Sequence, residues 1–307
     1  MQPDSNLSRT GLFHLLVVYI VWSSTYLAIR VAVSLGSGFP PFIMSGSRLL
    51  TAAAILFLIA YLCKQRIKIT KTELVNLAIS GTLLWVFGNG LVIWAEQYAS
   101  SSFAALVVSS SPIWVTLFES VMYRKKPSVT LTIALLTGFL GIGVLMYPAL
   151  SKGISTEITA GIALVCSAIC WSIGSIYQSR NPVNLSSHTA SAYQHVAACV
   201  GFFFISLLFQ EPAPAPTQNA YIAWLYLIVF GSVFAFTSFV SVLKLLPIQI
   251  AMTFAYVNPV LALFLGWFIL DEPVTSWTIG GAVLVISSVA GIFSDRYKPK
   301  MHIAAEC

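Results

Sequence analysis

Residues 248–273 read IQIAMTFAYVNPVLALFLGWFILDEP. About 23 mostly apolar residues precede the first charge, Asp271, enough to cross a hydrocarbon core at roughly 1.5 Å per residue. Asn258-Pro259 stands near the middle. A proline has no backbone N–H and its ring clashes with the turn before it, so the sequence predicts a helix broken at Pro259, with the Ala255 carbonyl in need of another partner or a wet cavity. Residues 103–127, FAALVVSSSPIWVTLFESVMYRKKP, repeat the pattern. Ser111-Pro112 stands for Asn258-Pro259, an apolar run follows, and a charged knot precedes Pro127 as another precedes Pro273. The knots differ in sign: Arg124, Lys125 and Lys126 in one, Asp271 and Glu272 in the other. A duplicated helix whose end has changed sign suggests a helix that runs the other way through a membrane.

Working outward, the whole chain has the same character. Of its 307 residues 58% are hydrophobic and 8% charged, against about 25% charged in soluble domains. So much apolar surface implies lipid as the surrounding solvent, and the bilayer as the first partner. The net charge of +6 flanks hydrophobic spans and forms no patch on a domain, which argues against nucleic acid. Cys63, Cys166, Cys170, Cys199 and Cys307 have no CxxC or His/Cys ligand spacing, so no metal site or disulfide framework is implied. The polar start up to Arg9 followed by an apolar run resembles a signal peptide, but that run passes Ala28 without a clear cleavage site.

Ten spans are expected, near residues 11–33, 41–62, 72–94, 101–123, 130–147, 157–177, 187–209, 220–243, 248–270 and 276–293. Connections are short; residues 210–219, with Pro212, Pro214 and Pro216, read as an extended surface loop. With the N-terminus inside, nearly all loop lysines and arginines fall on the inner side and only Lys152 on the outer, so both ends are expected in the cytoplasm of an inner-membrane protein. Five spans per half invert the second half relative to the first. The fold class is therefore all-α polytopic, two inverted five-helix repeats at residues 11–147 and 157–293. Trp22-Ser23-Ser24 in span one has its partner in Trp171-Ser172 of span six, and spans five and ten share small residues such as Gly138, Gly141, Gly143, Gly280 and Gly281, which let backbones approach closely. Inverted repeats with broken helices near the midplane are a recurrent plan of secondary transporters.

Trp22-Ser-Ser-Thr-Tyr26, Arg48, Gly88-Asn89-Gly90, Ala95-Glu96, Ser111-Pro112, Cys170-Trp171-Ser172, Ala255-Tyr-Val-Asn-Pro259 and Asp271-Glu272-Pro273 together resemble an EamA-type member of the drug/metabolite transporter superfamily, in both halves. The resemblance implies ten helices, cytoplasmic ends, a central cavity lined mainly by spans other than five and ten, and export of metabolites or toxic amphiphiles. One departure stands out: such chains usually end span four with an acidic residue where this one has Lys126, whereas Glu272 keeps that place in the second half.

Ionisable groups within spans are costly and so are functional candidates. Arg30, Arg48 and Glu96 fall at one outer level, where a Glu96 pair with Arg48 or Arg30 serves either as a gate or as a static ion pair with snorkelling stems. Glu119, near the inner end of span four, is a proton-coupling carboxyl or an interfacial partner of Arg124. His195 in span seven is a proton carrier or a satisfied core histidine. Trp22 and Tyr26 share a helix face, and with Trp171 and Tyr256 they are candidate walls for a substrate. Asn89, Asn258, Ser111 and Ser172 are candidates to orient its polar group, or else hydrogen-bond between helices. Pro112 and Pro259 are the expected helix breaks. The remaining tryptophans, Trp85 among them, read as lipid-facing or interfacial. No nucleotide-binding loop, HExxH or GxSxG occurs, so no cofactor and no enzymatic role are expected. The sequence thus predicts a secondary transporter exporting amino-acid-like or amphiphilic metabolites, driven by protons or by the substrate's own gradient. An intramembrane enzyme and a non-transporting scaffold or receptor are the rival classes. Oligomeric state is left open.

Overall fold

Span lengths set by hydropathy reappear as helices in the computed structural model, which describes residues 8–124, 128–153 and 155–297, without the side chains of residues 149, 249, 256, 293 and 295–297. Lys125, Lys126, Pro127 and the Tyr256 side chain therefore lie outside the described residues. The first half comprises α1 (Arg9–Val33), α2 (Pro41–Leu62), α3 (Lys71–Gly81) continued by a π-helical segment (Thr82–Asn89) into α4 (Gly90–Ala95), then α5 (Ser101–Val108), α6 (Ser111–Met122) and α7 (Val129–Lys152). The second comprises α8 (Ser155–Arg180), α9 (Ser187–Leu208), α10 (Gln218–Tyr226) continued by a second π-helical segment (Leu227–Phe236) into α11 (Thr237–Leu245), then α12 (Ile248–Ala251), α13 (Phe254–Leu270) and α14 (Ser276–Tyr297). Eight spans are long and apolar enough to cross a membrane, and the last two supply apolar stretches at Val257–Leu270 and Ser276–Ile292. The protein is an all-α polytopic membrane protein with ten transmembrane helices in two inverted five-helix repeats.

The packing obeys an exchange rule. Span two packs on span seven (α2 on α9) and span five on span ten (α7 on α14). Span one packs on spans eight and nine, and span six packs on spans three and four. Adding five to every number converts one set into the other, as two halves related by a pseudo-two-fold axis require. The extensive α7–α14 contact follows from small residues. A Cβ on Gly138 would lie 2.5 Å from Ser288 Oγ and one on Gly281 2.6 Å from Leu145 Cδ2, so any larger residue pushes the pair apart. Ser288 Oγ also donates to Ala134 O at 2.6 Å. Gly143 takes no part, since a Cβ there would meet nothing.

The two broken spans differ from the sequence expectation. Span four is interrupted at Ser109-Ser110, and Pro112 falls in the first turn of α6, where its missing N–H is harmless. Ser109 Oγ and Ser111 Oγ donate to the carbonyls of Leu106 at 2.6 Å and Val108 at 2.7 Å, covering acceptors that the interruption would strand. Span nine is interrupted at Met252-Thr253, upstream of Pro259, and α13 runs through the proline. The expectation of a break at Pro259 is thus corrected. A proline removes one N–H bond, which a helix packed against neighbours tolerates; the chain breaks instead where α12 meets α13 under a separate set of turn bonds. The two π-helical segments occupy equivalent places in spans three and eight. Their wider turns free backbone groups, and Ser167 Oγ on α8 meets one of them, Gly88 O, at 2.7 Å.

Loops close both ends of the bundle by different means. At one end, called here the Glu272 end, the Glu211 carboxylate accepts from Phe42 N at 2.9 Å and Ile43 N at 2.8 Å and so caps α2. Residues 211–217 form the expected irregular connection, with Ala215 N and Thr217 N bonded to Gly38 O and Ser37 O at 2.8 and 2.9 Å, while Gln210 turns off span seven with a left-handed backbone and Gln218 and Asn219 already belong to α10. At the opposite end Arg66 pairs with Glu73 at 2.8 Å and donates to Asn184 O at 3.0 Å, and Lys244 Nζ donates to Leu185 O at 2.7 Å.

Candidate functional site

The two Trp-Ser motifs explain why the centre of the bundle is a site. Trp22 and Trp171 are equivalent positions of the two repeats, and their rings meet edge to face with centroids 5.2 Å apart. Equivalent residues of inverted halves touch only near the axis that relates the halves, so this contact marks the pseudo-two-fold. Ser23 and Ser172 beside them also act alike. Ser172 Oγ lies 2.7 Å from Ala168 O and 3.0 Å from Ser111 O, and so binds span six to span four. Ser23 Oγ donates to Tyr19 O at 2.5 Å, which leaves it to accept from the Asn258 amide nitrogen at 3.1 Å and so bind span one to span nine. Ser111, Ser172 and Asn258 are thereby placed between helices, and Ser111 and Asn258 stand at matching points of the two broken spans.

Around the tryptophan contact lies a central cavity of about 50 Å³. Trp22, Tyr26, Trp85, Trp171 and Phe254 form its walls. Its polar lining includes Arg48 on α2 and Asn89 at the end of the first π-helical segment. Trp22, Tyr26, Asn89, Trp171 and Arg48, singled out from sequence, are thus brought together. Trp85 and Phe254 were not singled out. Trp85 is 3% exposed, which corrects its reading as a lipid-facing residue. A signal was present: Trp85 and Asn89 stand four apart, as Trp22 and Tyr26 do. Phe254 carried none, because an apolar residue in an apolar span has no distinguishing pattern.

Arg48 is 2% exposed. Its Nε donates to Ser232 Oγ at 2.8 Å, and its guanidinium carbon lies 5.0 Å from the centroid of the Trp85 ring. A Cβ on Gly231 would come within 2.9 Å of Nη2, so the second π-helical segment makes room for the guanidinium with a glycine. Nη1 has no hydrogen-bond partner among the described residues. The expected Arg48–Glu96 or Arg30–Glu96 side-chain pair is absent from them. Arg30 Nη1 instead donates to the backbone carbonyl of Glu96, because Glu96 caps the end of α4 and offers a free carbonyl there. The Glu96 carboxyl is fully buried with both oxygens unpartnered. It follows Ala95, the last residue of the third span. Burial and the nearby Glu272 carboxylate raise its pKa well above the ordinary carboxylate range, against a smaller opposing effect of Arg30.

Glu272 was read as part of a charged knot and as the acidic residue that ends span nine, and its carboxylate takes four hydrogen bonds at the start of α5. Its carboxylate accepts from Ser101 N at 2.7 Å and Ser101 Oγ at 2.8 Å, and from Ser102 N at 3.0 Å and Ser102 Oγ at 2.5 Å. Beyond it a surface cleft of about 580 Å³, lined in part by Arg30, Ser100, Asp271 and Glu272, opens at the Glu272 end. On α1, Arg30 lines this cleft and Tyr26 lines the central cavity, so one helical turn, about 6 Å, separates the two spaces. The other candidates lie apart from the cavity. His195 is fully buried behind Trp85, ring centroids 5.0 Å apart, with neither nitrogen partnered. Glu119 is half-buried on α6.

An inverted-repeat bundle with a largely aromatic pocket on its axis is a recurrent plan of membrane transporters. The EamA-like transporter family model matches residues 9–147 and again 158–294, and the chain belongs to that family. It is 33% identical over 260 residues to the uncharacterized inner membrane transporter YedA of Escherichia coli K12, covering 82% of this chain and 80% of YedA. It is 25% identical over 281 residues to the uncharacterized transporter YoaV of Bacillus subtilis, covering 91% and 94% of the two chains. A protein solved by crystallography superposes with a TM-score of 0.66 at 18% identity, over 94% of this chain and 99% of that one, a likeness of fold.

Proposed function

We propose that this transporter exports small amphiphilic or amino-acid-like metabolites by alternating access, with both termini in the cytoplasm and the Glu272 end facing outward across the inner membrane. The repeats taken as residues 11–147 and 157–293 are the units that rock. The observation that carries this reading is the central cavity on the pseudo-two-fold axis, between Trp22 and Trp171. A cavity of about 50 Å³ holds a water or two, whereas small-molecule sites span about 300–1,000 Å³. Substrate therefore enters only as the halves move apart, and the broken spans four and nine are where the helices can bend. The Glu96 carboxyl, buried between cavity and cleft, is the candidate proton carrier: it is held neutral where it is buried and loses its proton when an opened path wets it.

Purified protein in sealed vesicles tests this. Asn258→Ala is expected to lower counterflow several-fold while the protein still inserts and folds, because the span one–span nine bond at Ser23 is lost. Unchanged counterflow would refute a moving role for span nine. Glu96→Gln is expected to abolish the response of net flux to a pH gradient while leaving solute exchange in place. A pH-gradient response that survives in Glu96→Gln rules out Glu96 as the coupling group.

A further inference from the structure

We propose that Arg48 is the carboxylate-binding group of the central cavity and that the ligand is an aromatic monocarboxylate. This rests on the transporter reading above and narrows its substrate class. Arg48 is a nearly fully buried cation whose Nη1 is unpartnered and which no carboxylate of the cavity lining accompanies. Guanidinium remains charged in proteins and matches carboxylate geometry with paired N–H groups. An isolated buried charge is strongly destabilising, so the position makes physical sense only if an anion shares it during the working cycle. Glu96 is not that anion, since both its oxygens are unpartnered too.

The rest of the lining matches such a ligand. Trp85 Nε1 and Trp171 Nε1 are buried donors without acceptors, and Asn89 Oδ1 is a buried acceptor without a donor. Arg48 and the two indoles therefore offer N–H groups to a carboxylate, and Asn89 offers an acceptor to a hydroxyl. Trp22 and Phe254, rings 5.3 Å apart and edge to face, supply aromatic surface for an aryl body. A second positive charge on the ligand would sit near Arg48 with no acidic side chain in the lining to receive it, which favours hydroxy acids over amino acids.

The test uses full-length protein in detergent, read by quenching of tryptophan fluorescence and by thermal protection. The probes are 3-phenyllactate, its neutral amide, lactate, phenylalanine and chloride. Phenyllactate is expected to bind about tenfold or more tightly than the amide, because charge-assisted bonds to Arg48 are lost in the amide, and also more tightly than lactate and phenylalanine. Arg48→Met is expected to equalise acid and amide, with Arg48→Lys intermediate. Equal affinity of the wild-type protein for acid and amide overturns the proposal, as does an effect that chloride alone reproduces or acid preference retained in Arg48→Met. If Arg48→Met does not fold, the wild-type acid-to-amide ratio decides. Vesicle counterflow separates the two levels. Acid-selective binding without counterflow would refute transport and leave the site standing; counterflow of solutes without acid preference would refute the site alone.

Discussion

Spans four and nine descend from one pattern and begin in opposite ways. At the start of α5 the first three N–H groups each have a side-chain acceptor: Glu272 for Ser101 and Ser102, and Ser100 Oγ for Phe103 at 3.2 Å. The start of α12 has Pro247 as its N-cap residue and no capping side chain. A carboxylate at a helix N-terminus is stabilised both by the free N–H groups and by the helix dipole. Glu272 comes from the loop after span nine, so the cap also fastens one half of the protein to the other. Inverted repeats need not be equally tight at their two ends. The Glu272 end is latched between halves by a buried carboxylate, and at the opposite end the halves meet through neutral or backbone-directed bonds such as Arg66 to Asn184 O, Ser186 Oγ to Gln65 Oε1 and Tyr193 OH to Ile67 O.

The largest test of this contrast is Glu272→Ala. It strands two buried N–H groups and two hydroxyls at the start of α5 and is expected to remove about 2–4 kcal/mol, seen as a clear drop in apparent Tm in detergent. A fall no greater than that of an ordinary surface substitution would mean the latch is not holding the halves. Ser23→Ala comes next. It removes the side-chain acceptor that ties span one to the Asn258 amide, whose nitrogen keeps the Tyr19 and Phe254 carbonyls at 3.3 Å, and about 1 kcal/mol is expected, with span nine loosened in hydrogen exchange. Ser172→Ala is the smallest. Its hydroxyl serves carbonyls already near other donors, so about 0.6 kcal/mol is expected. Equal losses for the two serines would show that spans four and nine are held alike after all, and the asymmetry would then rest on the Glu272 cap alone.

The linear chain carried the membrane class, the ten spans and the inversion, because lipid tolerates few polar residues and each departure from apolar sequence is therefore a signal. Trp22, Tyr26, Asn89, Trp171 and Arg48 were legible as candidates for the same reason: each is a polar or amphipathic group in an apolar span. Which of them face one another was not legible. In a helix apolar on every side, periodicity does not fix rotation, so Trp85 was misplaced and Phe254 passed unnoticed. The position of the break in span nine and the π-helical turns of spans three and eight depend on which backbone groups find partners in neighbouring helices. The same holds for Glu96, left unpaired, and Glu272, bound to the start of α5: sequence supplied their charges, and only packing assigned their partners.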